Sequence, residues 1–466
     1  MKKLFLIFIP GIFSIYSAWG STTQDSLDQS ATKKNVLFII VDDLNTTLGT
    51  YGHPRVLTPN IDNLARRGIQ YNNAYCNFPV CNPSRSSFLT GVRPETLGIL
   101  DNVTPLQSKL GDMTTMPHLF KQNGYYTVSL GKVFHGPKAE HNDLKSWNEI
   151  YGFKTSPVGK QGEQRNISDG ALEWCHWRAA EGDDNDQPDG QLAQKAVEII
   201  KSKKAEPLFL ALGFHKPHDP FVAPKKYFDL YPLATCDPAV LPTGWYPPYP
   251  HTLPGEQTIF AQFTDQDKRE FLRSYYACTS FMDAQLGKVI TALEEEGLME
   301  NTLIVFFGDH GYHLGEHEWW NKVTVYEKAH QAPMIIVDES RPEIAGLTSN
   351  AMLEFVDIYP TLADLCNLEN TPTYLEGRSF RSTLNNPLTS FREVVYSVVR
   401  RGGFLGRTVK TKDWRYTEWD NGKQGTELYD ERNDPLEYTN LSNNQSYDNV
   451  QKMMKKLLDQ YSTEGL

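Results

Sequence analysis

Unbroken apolar runs recur along the chain, and the polar residues that follow them are the ones capable of chemistry. Val36–Val41 ends in Asp42 and Asp43, and Tyr126–Leu130 ends in Gly131 and Lys132, with His135 close behind. Leu208–Leu212 leads through Gly213 and Phe214 to His215, and Leu303–Phe307 leads through Gly308 to Asp309 and His310. Met334–Val337 is a fifth run. Continuous rather than alternating apolar runs predict strands covered on both faces. Helix-like segments lie between them, at Asn60–Arg67, Met116–Asn123, Leu192–Lys201, Asp267–Glu296 and Phe355–Cys366. The alternation predicts an α/β fold, a large and mostly parallel sheet flanked by helices. Sites in such sheets lie at the carboxyl ends of the strands, where these runs deliver their Asp, Lys and His residues.

The pattern changes toward the end of the chain. Val394–Val398, Gly406–Val409 and Trp414–Trp419 read as short strands separated by turns, and Tyr447–Tyr461 as a closing helix. A smaller α+β subdomain with an antiparallel sheet is therefore expected over 386–466, after a larger domain over 21–385. Two loops stand out. The acidic stretch Glu181–Asp189 reads as solvated. Leu241–Pro254 is too long and too aromatic for a simple connector; its Trp245, Tyr246 and Tyr249 suit either a sugar-stacking wall or surface packing.

The first twenty residues carry a different message. Lys2 and Lys3 precede an apolar stretch from Leu4 to Tyr16, and Ala18-Trp19-Gly20 offers small residues at a cleavage site before Ser21. This predicts a signal peptide and an exported, periplasmic or secreted protein. The apolar stretch is short for a spanning helix, so no membrane association is expected. The net charge of -11 becomes -13 without the two lysines. That balance argues against a nucleic-acid partner. Six cysteines in 466 residues are too few for a disulfide scaffold. Cys76, Cys175, Cys236, Cys278 and Cys366 are an odd set once Cys81 is set aside, and their pairing is not legible.

Cys81-Asn82-Pro83-Ser84-Arg85-Ser86-Ser87-Phe88-Leu89-Thr90-Gly91 is the most informative segment. Pro83 suits the first turn of a helix and Gly91 its end. Cys81 then sits at a helix amino terminus with Arg85 one turn on, an electropositive setting that suits a nucleophile better than an inert core thiol.

That segment resembles the type I sulfatase signature, in which the cysteine is oxidised to formylglycine. Val41-Asp42-Asp43-Leu44, Gly131-Lys132-Val133-Phe134-His135, His215-Lys216-Pro217-His218 and Asp309-His310-Gly311 with Leu314-Gly315-Glu316-His317 resemble the iduronate-2-sulfatase branch of the alkaline-phosphatase-like superfamily. So does Glu427–Asp430 with Asp434-Pro435. The resemblance implies that a maturing enzyme, either formylglycine-generating or anaerobic, converts Cys81 to an aldehyde that hydrates to a diol. One hydroxyl would attack sulfur and the other would later expel sulfate. It implies Asp42, Asp43, Asp309, His310 and residue 81 as ligands of one hard cation, Ca²⁺. It implies Lys132 and Lys322 as sulfate-binding groups and Arg85 as the holder of the diol. His135 would be the base that releases sulfate, and His215 the acid that protonates the leaving sugar oxygen. His218 and His317 suit either the lining of the site or its support.

The resulting expectation is a sulfuric ester hydrolase acting on a sulfated oligosaccharide. Its substrate would be 2-O-sulfated uronate of glycosaminoglycans, or an algal polysaccharide such as ulvan or carrageenan. Two alternatives stay open: a phosphomonoester or phosphonate hydrolase of the same superfamily, and a catalytically dead sugar-binding protein. A two-zinc phosphatase would need a second set of His and Asp ligands, which the motifs do not supply.

Overall fold

A computed structural model describes residues 33–136, 138–203 and 207–463. The expected signal peptide, 1–20, lies outside the described residues. All five apolar runs are strands of one eight-stranded sheet. Its order is Leu347–Glu354, Ile69–Tyr75, Met334–Asp338, Thr302–Gly308, Asn35–Val41, Leu208–Phe214, Tyr126–Gly131 and Glu149–Tyr151. Only Met334–Asp338 runs against its neighbours; every other pairing in this sheet is parallel.

The unbroken run of the central strand has a direct cause. Val36, Phe38 and Ile40 point into one core and Leu37, Ile39 and Val41 into another, so every position is buried. Helices Pro59–Arg67, Pro188–Ser202 and Asp265–Glu295 cover one face through Leu64, Ala196 and Leu286. Helices Cys81–Thr90, Met116–Gln122 and Ile358–Leu365 cover the other through Phe88, Leu119 and Leu362. The long helix starts at a reciprocal cap. Thr264 Oγ1 accepts from the amide of Asp267 at 3.2 Å, and Asp267 Oδ2 accepts from the amide of Thr264 at 2.8 Å. Asp283, midway along it, accepts from the first turn of a neighbouring helix, Ile61 N at 2.8 Å and Asn60 N at 3.2 Å.

The carboxyl-terminal sheet is a four-stranded antiparallel meander, Val395–Arg401, Phe404–Lys410, Trp414–Trp419 and Thr426–Asp430. Helix Asp448–Thr463 packs Met454 and Leu458 against Val398, Val409, Tyr416 and Leu428. The sequence reading did not anticipate a third sheet, Gly162–Asn166, His176–Ala180 and Phe221–Pro224. All six cysteines are unpaired.

One loop differs from expectation, and the packing of the other follows one of its two readings. Asp184 and Asp189 of the acidic stretch are buried, not solvated. Trp245 donates to the carbonyl of Tyr438 at 3.0 Å and Tyr249 to the carbonyl of Thr426 at 3.0 Å, so both pack on the carboxyl-terminal segment. Tyr246 alone of the three is largely exposed. The same segment is tied down by Arg401, which donates to the carbonyls of His251 at 2.9 Å, Thr252 at 3.1 Å and Val323.

Candidate active site

Four parallel strands end side by side, and the residue after each end enters one cluster. Close approach of two of them depends on glycine. Gly131 has φ +72°, and a Cβ there would lie 2.4 Å from the carbonyl oxygen of Gly213. A Cβ on Gly213 would lie 2.0 Å from the carbonyl carbon of Lys132. Two bare backbones in contact therefore set Lys132 beside the start of the His215 loop.

The nucleophile segment is helical over Cys81–Thr90, as expected, and Gly91 ends it in the left-handed region at φ 73°, its amide bonded to Ser87 O at 2.8 Å. Every residue of this helix is buried. Arg85 projects from its first turn into the carboxylates. Its Nε donates to Asp309 Oδ2 at 2.8 Å and one terminal nitrogen to Asp42 Oδ1 at 3.2 Å. The other terminal nitrogen meets the carbonyls of Lys132 and Val133. A guanidinium holds two carboxylates at fixed angles in a way an ammonium cannot.

Asp42, Asp43, Asp309 and His310 are all fully buried. Lys132 pairs with Asp42 Oδ2 and Lys322 with Asp43 Oδ1. Lys322 Nζ also lies 3.3 Å from Cys81 Sγ. Asp43 has φ 60°, an unusual value away from glycine, and its amide donates to Asp309 Oδ1 at 3.1 Å. His310 donates from Nδ1 to the carbonyl of Gly311 at 2.9 Å. Its other nitrogen, Nε2, lies 3.5 Å from Cys81 Sγ and 3.4 Å from Asp43 Oδ1.

The electrostatics follow from burial against these partners. Burial would raise the Asp42 carboxyl, but Lys132, His218, Arg85 and Lys322 together hold it well below the usual carboxylate range. Asp43 goes the other way. Burial and the charges of Asp42 and Asp309 outweigh Lys322 and His310 and raise it. The Cys81 thiol is pushed up to about 12 by burial and Asp42, against Lys132 and Lys322. The helix terminus expected to acidify it is outweighed. Burial, with Lys132 and Arg85 nearby, lowers His135 to about 3, and burial with Lys216 and Lys132 lowers His215 well below its ordinary value. Both imidazoles are therefore biased toward the neutral form until an anionic substrate binds beside them.

The donor set fits a hard cation. Ligand atoms of Asp42, Cys81, Asp309 and His310 all lie within 4.8 Å of one another, as do those of Asp42, Asp43, Cys81 and His218. The two groups share Asp42 and Cys81, so they describe one location. Asp43 Oδ2 is buried without a hydrogen-bond partner, an acceptor with unspent capacity at that point. Carboxylate-dominated donors favour Ca²⁺ or Mg²⁺ over softer ions.

Every sequence-predicted site residue other than His317 belongs to this cluster or its rim. His215 Nδ1 is 3.7 Å from Asp42 Oδ2, and His218 Nε2 is 3.9 Å from both Asp42 and Asp43, so His218 lines the site. His135 stands by Lys132 on the loop after its strand, its ring 5.4 Å from that of His141. His317 does not line the site: it stacks on Tyr326 at 4.0 Å and donates to Glu437 O at 3.1 Å. Sequence reading missed Ser84, whose hydroxyl donates to Asp309 O at 2.5 Å, and Asp189, whose carboxylate accepts from the amides of His215 and Lys216. Ser84 was visible within the nucleophile segment; nothing local marked Asp189.

Comparison with known proteins agrees with this geometry. The family described as Sulfatase matches residues 34–368, and the family described as N-sulphoglucosamine sulphohydrolase, C-terminal, matches residues 315–464. Human iduronate 2-sulfatase is 32% identical over 87% of this chain and 88% of its own length. A sulfatase of Formosa agariphila is 31% identical over 93% and 88%. Among solved structures, the phosphonate monoester hydrolase of Agrobacterium radiobacter has a TM-score of 0.78 at 20% identity, covering 93% of this chain and 96% of that one, a likeness of fold. With the family matched over most of its length, the chain belongs to the sulfatases and is a sulfuric ester hydrolase.

Proposed function

We propose that this sulfatase removes the 2-O-sulfate from a uronate residue at the end of a sulfated glycosaminoglycan oligosaccharide, using a formylglycine made from Cys81. The observation that carries the reading is the convergence of Lys322 on residue 81 and of Lys132 and Arg85 on the adjoining Asp42 at the strand ends, an arrangement suited to one sulfate group. The identity to iduronate 2-sulfatase over most of both chains favours the 2-O-sulfated uronate.

In this reading Lys322 and Lys132 neutralise the sulfate oxygens, and Arg85 keeps the carboxylates and residue 81 in register. Neutral His135 removes a proton from residue 81 at the release step, and His215, protonated when the anionic sulfate ester binds beside it, gives that proton to the departing sugar oxygen. Formylglycine at residue 81 would supply a hydrated aldehyde oxygen as nucleophile. Asp42, Asp43, Asp309 and His310 would hold one Ca²⁺, whose charge would polarise the sulfate. The apolar stretch after Lys2 and Lys3 supports export. An acidic chain with no stretch of clustered Lys and Arg in its sequence supports action on chain ends, one sulfate at a time, after another enzyme has cut the polymer.

The test compares sulfate release from intact heparan and dermatan sulfate, their lyase digests, and digests of ulvan and carrageenan, at equal sulfate concentration. Faster release from the uronate 2-O-sulfated disaccharides supports the proposal. Release from algal digests alone, or equal rates on polymer and digest, counts against it. Faster hydrolysis of a phosphonate or phosphate monoester than of any sulfate ester would reassign the site.

A further inference from the structure

The acidic stretch that reads as solvated ends at Asp189, and this residue is turned inward. It is the second residue of helix Pro188–Ser202 and only 2% exposed. Its Oδ1 accepts from the amide of His215 at 2.9 Å, and its Oδ2 accepts from the amide of Lys216 at 2.8 Å. These are the first two residues beyond strand Leu208–Phe214, where the ladder no longer supplies partners. The carboxylate takes over as acceptor for both.

The loop that follows is fixed from within as well. Lys216 folds back so that its ammonium donates to the carbonyls of His218 at 2.8 Å and Pro220 at 2.7 Å. His218 N closes a turn onto His215 O at 3.0 Å. Its stem is therefore held by one buried carboxylate and its tip by one buried ammonium. The His215 ring leaves this stem toward Asp42 and lies 5.1 Å from the ring of His218. Burial pushes the Asp189 carboxyl up to about 6 against the pull of the two amides. Keeping a carboxylate there is costly, and its position at a helix amino terminus offsets part of the cost.

We propose that Asp189 is a positioning residue for proton transfer: by holding the His215 and Lys216 amides it aims the His215 imidazole at the leaving oxygen. This rests on the proposed role of His215 as the acid. A residue acting in this way affects a reaction only as far as the leaving group needs a proton. A sugar hydroxyl is a poor leaving group and needs one, whereas a nitrophenolate departs without help. A merely structural role would lower both alike.

The experiment measures kcat and KM for a uronate 2-O-sulfated disaccharide and for a series of aryl sulfates from 4-nitrophenyl to 4-methoxyphenyl. The proteins are the wild type, Asp189→Asn, Asp189→Glu, His215→Ala and the His215→Ala/Asp189→Asn double variant. Asn can accept from only one of the two amides. A displacement of about an ångström at the imidazole is then expected to lower kcat for the disaccharide and 4-methoxyphenyl sulfate by roughly 10–100-fold, with KM little changed. The 4-nitrophenyl ester should lose less than about twofold. Asp189→Glu keeps both acceptors and the charge, so it should fold like the wild type and fall between the two. In the His215→Ala background the Asn substitution should have no further effect. An equal loss on every ester, or a further loss of the same size without His215, overturns the proposal. Wild-type release of uronate sulfate tests the substrate reading separately, because the aryl series alone decides the role of Asp189.

Discussion

Lys322 places its ammonium 3.3 Å from Cys81 Sγ although 241 positions of sequence separate them, and it does so while paired with Asp43 Oδ1. Burial opposes that charge, but Asp43, Cys81 and Asp42 hold the Lys322 ammonium well above its ordinary pKa, so it is charged at neutral pH. A permanent cation beside the nucleophile position is suited to sulfate oxygens that gain charge as the S–O bond breaks. Lys322→Gln is expected to lower kcat by about 100-fold or more while one metal ion per chain is retained. Steady-state kinetics and elemental analysis of the same preparation check it. Unchanged turnover would remove Lys322 from the reaction.

The carboxylates predict a metal dependence. Asp42→Asn and Asp309→Asn keep an acceptor for Arg85 but remove a charged donor from the cluster. Each should lose the bound ion and at least about 100-fold in activity. Dialysis against a chelator should inactivate the wild type, and Ca²⁺ should restore it. Two zinc ions per chain in the native protein would contradict the single hard-cation site.

Burial of the Cys81 segment predicts the timing of the proposed modification. Cys81 is 1% exposed and its helix is covered on all sides, so a modifying enzyme cannot reach the thiol after folding. Chain made together with a maturing enzyme should be lighter by about 18 Da at the Cys81 peptide. Folded thiol protein mixed with the same enzyme afterwards should keep its original mass. Conversion of the folded form would show that the helix opens readily.

Asp283 predicts a pH signature in stability. Burial raises its carboxyl to about 6, against its bonds to Ile61 and Asn60. The folded state therefore holds this proton more tightly than the unfolded chain. The contribution is fully present below about pH 4 and is lost as the pH rises through about 6, on the order of 2–3 kcal/mol. Asp283→Asn cannot titrate. The stability of the wild type relative to this variant should rise by that order between pH 7 and pH 4 in paired urea melts. A pH-independent difference would mean that the carboxyl is not burdened by its burial.

Much of this was legible along the chain because the sheet is buried on both faces. Val36–Val41 and Leu303–Phe307 are continuous apolar runs for that reason, and the polar residue after each run marks a strand end. The missed elements lack that signal. Ile69–Tyr75 carries two asparagines that are only half-buried, and Leu347–Glu354 is an edge strand with an irregular register. The reversed direction of Met334–Asp338 leaves no trace in periodicity, because an apolar run reads alike both ways. Within the site, Cys81, Arg85 and the strand-end residues were found by motif and position. Asp189 was not, because a helix-start carboxylate looks the same whether it faces water or a neighbouring loop. His317 reads like the other motif histidines, and only its stacking on Tyr326 shows that it packs elsewhere.

If Lys322 acts as proposed, the grip of Arg401 on the carbonyl of Val323 gives the final sheet a share in catalysis from outside the site. Val323 follows Lys322 directly, and its amide is held in turn by Pro79 O at 3.1 Å, two residues before Cys81. The meander, the lysine and the nucleophile segment are thus links of one short mechanical chain. Damage far out on the last sheet would register at the candidate site as a misplaced charge, and the resulting protein would fail at the chemical step even with the proposed ion and modified residue in place.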